Sequence, residues 1–230
     1  MLIPDLSLKC DITLYKELME QGLSMGFMMS IVSVGTLILQ KPINSFGYLT
    51  IAGHLAARKI STFAIMPFST ISHSLSIFIS HNKGAKQYER IKLGVNYCNF
   101  LALILGIISC VIIFLLSDTL ITYVSGSSEI EILYSSTIYL KTNAPFYIIL
   151  GILLNLRQAL QGIGRKVVPL FSSITECITK IIFVIFIIPK LNYLGVVICE
   201  PIIWCITCIQ LAYYFYNDTE MRGVLNYDYK

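Results

Sequence analysis

Residues 80–92 read SHNKGAKQYERIK and set four cations, Lys83, Lys86, Arg90 and Lys92, between two long apolar runs. No Asp, Glu, Lys or Arg occurs between Lys59 and Lys83, nor between Lys92 and Asp118, and a third such gap separates Glu20 from Lys41. Each gap meets the roughly 20 residues that a helix needs to cross a bilayer. The basic stretch therefore reads as a connector between two membrane spans.

Composition agrees with that reading. The 230 residues are 56% hydrophobic and only 13% charged, with a mean hydropathy of +0.74. That is more apolar surface than one soluble core can hide. A lipid-facing β-barrel would need segments of about ten residues alternating in hydrophobicity, whereas IIFLL and IIFVIFII are apolar on every face. Helices satisfy their own backbone groups in lipid, so the expected class is all-α, a polytopic bundle of six transmembrane helices. The spans fall at about 21–40, 55–82, 93–117, 132–156, 167–189 and 193–216. Together they form a six-helix membrane unit over 21–217, with an amino-terminal segment 1–20 and a tail 218–230. MLIPDLSLKCDITLYK lacks the basic-then-apolar pattern of a secretory signal, so the first span is expected to direct insertion.

Assigning alternate sides to the loops sorts the cations. Eleven of the seventeen, Arg157 among them, share the side of 82–92 and 161–167, and five, including Arg58, lie toward the other. The positive-inside rule then makes the first side cytoplasmic, with both termini. The net charge of +4 calls for anionic headgroups rather than nucleic acid as the partner of the basic loop.

The seven cysteines mostly fall within apolar spans, which excludes a disulfide framework. Cys205 and Cys208 form a CxxC without a second pair or a histidine, and they read as small residues at a helix contact. His54, His73 and His81 show no metal-ligand spacing, and GIG at 162–164 is too short for a phosphate loop. No metal, cofactor or enzymatic centre is expected.

Three intramembrane charges stand out. Glu176 and Lys180 are four apart in the favourable order for a helix pair, about ten and fourteen residues into their span. Depth along the next helix brings Glu200 level with Lys180, which suggests one cluster of Glu176, Lys180 and Glu200, either a structural pin or a relay. Pro67 and Pro145 lie inside spans and predict bends, which serve either movement within the bundle or static packing. Met25, Met28, Met29 and Ser30 in the first helix, with Tyr147, Asn155, Gln158 and Gln161 in the fourth, are the candidate cleft residues. Thioethers and aromatic faces suit varied, often cationic, amphipathic ligands, although the methionine stripe equally suits lipid or helix packing.

Residues 46–94, ending in the loop N-x-G-A-x-x-x-x-R at Asn82–Arg90, resemble the multidrug and toxic compound extrusion family. ALQGIGRKVVPLFSSITECITKIIFVIFIIPKLNYLGVVICEPIIW (159–204) is similar to the last two helices of that family's carboxy-terminal lobe, and YKELMEQGLSMGFMMS (15–30) with QKPINSFG (40–47) to its first helix and turn. The resemblance covers about 10–226 and implies one of two six-helix lobes related as parallel repeats. It implies efflux of drugs or small organic cations against H+ or Na+ across the plasma membrane, and a partner lobe absent here that carries a coupling acid. A subgroup has acids in this lobe too, but the matching positions are Val32 and Leu150, so no cation site is carried over. A non-transporting fragment and a lipid-linked sugar flippase of the same superfamily are the alternatives.

Overall fold

The computed structural model describes residues 12–218, and all regular structure among them is helical. The segments 1–11 and 219–230, most of the expected amino-terminal segment and tail, lie outside the described residues, while 12–20 of the expected segment is already part of the first helix. Among the described residues, six helices are long and apolar enough to span a bilayer. They are α1 (Ile12–Ile43), α2 (Tyr48–Gly84), α3 (Tyr88–Ser125), α4 (Ile130–Gly162), α5 (Val167–Leu191) and α6 (Tyr193–Tyr216).

Most of them outrun the expected spans. At 38 residues, α3 is roughly 57 Å long against a hydrocarbon layer of about 30 Å. A helix continues past the lipid until backbone chemistry stops it, not where charge begins. The stops here are conformational: Gly126 ends α3 in the left-handed region at φ 67°, its N–H donating to the Thr122 carbonyl, as a C-terminal glycine does at little steric cost.

The 80–92 stretch shrinks to a tight turn. Lys86 adopts φ 57°, and the N–H groups of Ala85, Lys86 and Gln87 donate to the carbonyls of His81, Lys83 and Asn82. Lys83 Nζ donates to the Ile163 carbonyl and Ser80 Oγ to that of Gly162, so the α2–α3 and α4–α5 turns meet at one end. At the other end Phe46 and Tyr193 rings lie 6.0 Å apart and Thr50 Oγ1 donates to Glu131.

α2 and α4 form the centre. α2 packs on α3 and both halves of α4, α4 also packs on α3 and α6, and α1 rests chiefly on α5. Close approach is licensed by small residues, as in other membrane bundles: a side chain on Gly151 would strike Phe68 and Ala102, and one on Gly162 the Ser76 carbonyl.

The two prolines behave differently. α4 is broken by a 3-10 turn, Ala144–Phe146, at Pro145, while α2 runs on through Pro67. α5 contains a π-helical turn, Phe183–Ile187, which the sequence reading did not foresee. Pro189 explains it: its ring crowds the Ile185 carbonyl and it has no N–H to donate, so the preceding turn widens.

Candidate functional site

Two polar clusters lie within the bundle, and each is built from helices distant in sequence. In the first, Arg58 stands ten residues into α2, Tyr139 nine into α4 and Glu200 seven into α6, all roughly 10–15 Å from the same end. Arg58 Nη1 donates to Glu200 Oε1 at 2.7 Å, and Tyr139 Oη to Glu200 Oε2 at 2.6 Å. They border a chamber of about 210 Å³ that Ser61, Leu150 and Trp204 also line. Tyr147 Oη donates to Ser61 Oγ at 2.8 Å and so closes its wall.

His54 sits one turn from Arg58 on α2, its ring edge-on to Tyr139 at 5.0 Å. Tyr193 Oη donates to the Ser135 carbonyl at 3.2 Å, so the 3.2 Å contact between that hydroxyl and His54 Nδ1 is best made by an Nδ1–H donor. His54 Nε2 is then buried without a partner.

The second cluster joins α4 and α5. Lys180 Nζ donates to Glu176 Oε1 at 2.8 Å, and Arg157 Nη2 lies 3.6 Å from Glu176 Oε2. α1 covers it closely, since a Cβ on Gly35 would stand 3.1 Å from Lys180 Cδ.

Of the expected grouping of Glu176, Lys180 and Glu200, hydrogen bonding joins only Glu176 and Lys180, with Glu200 near enough to Lys180 to feel its charge. Depth alone made Lys180 and Glu200 neighbours, but Glu200 turns to Arg58 and Tyr139. Arg58 had been placed near the outer end of the span 55–82, and Arg157 one residue past the end of the span 132–156, because hydropathy ends an apolar run at a charge. α2 begins at Tyr48 and α4 runs to Gly162, so both arginines are inside their helices. The available signal was that each acid in a span needs a cation at matching depth.

The eight candidate cleft residues do not form one surface. Met28 is buried and its sulfur accepts from Gln161 Nε2 at 3.5 Å, which unites those two. Met25 is half-buried, while Met29 and Ser30 are exposed, Ser30 Oγ donating to the Gly26 carbonyl. Tyr147 faces α2, and Asn155 Nδ2 donates to Asn99 Oδ1 of α3 at 3.1 Å. Gln158 is buried in the same helix.

Tyr139→Phe isolates one bond of the first cluster. Losing an O–H donor to a carboxylate in this setting is expected to lower stability by about 2 kcal/mol, read as an earlier unfolding midpoint in detergent. An unchanged midpoint would show that the 2.6 Å contact holds nothing in place.

The helix order and this internal chemistry can now be set beside known proteins. The chain is 23% identical to the probable multidrug resistance protein YoeA of Bacillus subtilis (strain 168) over 211 residues, 90% of this chain and 45% of that protein. It is 30% identical over 124 residues to the probable multidrug resistance protein NorM of Halalkalibacterium halodurans, 50% of this chain and 25% of that one. The chain thus spans less than half the length of these curated relatives. Among solved structures, a MATE in complex with MaD3S superposes with a TM-score of 0.79 at 17% identity, over 89% of this chain and 47% of that one. A MOP superfamily transporter from Pyrococcus furiosus gives 0.76 at 16%, over 88% and 45%. The MatE family model matches residues 25–186. With six bilayer-length helices in this fold and that match across most of its length, the chain is a multi-pass membrane protein that belongs to the MatE family.

Proposed function

We propose that this chain is one six-helix lobe, the carboxy-terminal one, of a plasma-membrane multidrug exporter that exchanges amphipathic organic compounds for H+ or Na+ in company with a second six-helix lobe. The observation that carries the reading is coverage: nearly all of the chain lies on under half of a MATE transporter, the proportion expected of one repeat in a two-repeat transporter. Apolar Val32 and Leu150 leave the coupling ion to the other lobe. The Arg58–Glu200–Tyr139 cluster serves as the pin that holds α2, α4 and α6 in register.

Co-expression with and without a matching amino-terminal lobe, in cells lacking their own pumps, tests this through efflux of an ethidium-like dye. Export is expected only from the pair. Failure of every pairing to lower dye accumulation, with both lobes present in the membrane, would make the chain a non-transporting fragment. The orientation has its own check: a cysteine replacing Ala85 should resist an impermeant thiol reagent in intact cells and react once they are opened.

A further inference from the structure

Around Glu176 one carboxylate faces two cations. Its Oε1 is taken by Lys180 at 2.8 Å, and the 3.6 Å approach of Arg157 is an ion pair too long for a hydrogen bond. Arg157 Nε and Nη2 are accordingly buried with no acceptor. Among the described residues no other carboxylate bonds them: Glu200, though within electrostatic range of Lys180, is engaged by Arg58 and Tyr139, and α1 carries no charge between Glu20 and Lys41.

Buried N–H groups left unmade, and a local excess of one positive charge, are both costly away from water. The Arg157 donor atoms are themselves buried, and the cluster is open only along part of two side chains. The Arg157 and Glu176 side chains keep 12% and 15% of their exposure, while Lys180 at 5% forms the floor. Gln161, one turn from Arg157 on α4, has a buried Oε1 without a partner, and its Nε2 rests on the Met28 sulfur. Polar groups and a soft apolar wall thus stand side by side.

We propose that Arg157 and Lys180 form an intramembrane subsite for an oxyanion: the sulfonate, carboxylate or phosphate head of an amphiphile. The planar guanidinium fork offers paired donors to such a group, and the tail lies along Met28. As the seat of an exported compound the subsite rests on the exporter reading; as a binding site it stands without it. It assigns this lobe a preference for anionic heads, where the methionines and aromatic residues alone suggested cations.

The test uses the full chain in phosphatidylcholine nanodiscs and two probes that share a tail, octyl sulfonate and octyltrimethylammonium, titrated by calorimetry against empty discs. Saturable binding of the sulfonate in preference to the cation is expected. R157Q and K180M should each weaken it by about tenfold or more, the scale of one charge-assisted hydrogen bond. E176Q should strengthen it by about as much, because it removes the internal competitor. K59Q, an exposed position on α2, should change nothing. Preference for the cation, or an E176Q chain that binds sulfonate no better than the native one, overturns the proposal even if R157Q fails to fold.

Replacing phosphatidylcholine with phosphatidylglycerol separates two sources of the oxyanion. Competition by the anionic lipid assigns the subsite to a headgroup, and unchanged sulfonate affinity assigns it to a free amphiphile; either keeps Arg157 as its anchor. Dye export by the paired lobes without sulfonate binding would remove the subsite and keep the exporter. Sulfonate binding without export by any pair would do the reverse.

Discussion

Glu200→Ala is expected to lower the stability of the bundle by about 3 kcal/mol, the lower end of the range for breaking one side of a buried ion pair. The deletion leaves the Arg58 guanidinium and the Tyr139 hydroxyl without the carboxylate that both of them donate to. The lower end applies because Arg58 keeps 38% and Glu200 18% of side-chain exposure toward the chamber. The measurement is the unfolding midpoint in mixed dodecylmaltoside and dodecylsulfate micelles. Glu200→Gln should lose less, since its amide oxygen still accepts one bond. The double change Arg58→Met with Glu200→Leu should recover most of the loss, because two apolar groups leave nothing unpaired. A native midpoint for Glu200→Ala would show that α2, α4 and α6 are registered by packing alone.

Gly53→Val is the second large effect. A Cβ at that position would stand 2.1 Å from Ser135 Oγ and 2.8 Å from the Ile132 carbonyl oxygen. The serine can rotate away, but the carbonyl belongs to the backbone of α4. The Gly53 carbonyl also accepts from Ser136 Oγ at 2.7 Å, so the two helices are bonded at the point where they touch. Valine must push them apart, at a cost of about 3 kcal/mol, toward the upper end for overpacking. The displacement would reach Arg58, just over one turn along α2. An earlier unfolding midpoint is the expected result, and, under the proposed exporter reading, a loss of dye export. A valine variant with the native midpoint would contradict so close a crossing.

The sequence carried part of the site. The four-residue spacing of Glu176 and Lys180 and their depth pointed to a contact along one helix, and that contact is the 2.8 Å bond. Gln161 and Met28 were both selected as cleft candidates, and they meet. Arg157 was left one residue outside its span because a hydropathy run stops at the first charge, and Arg58 was placed near the end of its span, whereas the helix around each needs only backbone bonds to continue. Tyr139 and His54 carried no signal at all. An aromatic hydroxyl or an imidazole in a span is ordinary until a carboxylate from another helix arrives beside it.

What the chain determined by itself is its solvent and its segments. Uncharged runs of bilayer length, apolar all round, admit only helices, and the residues between them only short turns. What tertiary structure alone decided is partnership: α1 with α5, α2 with α4, Glu200 with Arg58 rather than Lys180. The reason lies in the solvent. Lipid is as apolar as the interior of the bundle, so no hydrophobic stripe marks which face of a span turns inward. Glycines that allow contact and charges that demand it choose the pairing, and those act only once the helices have met.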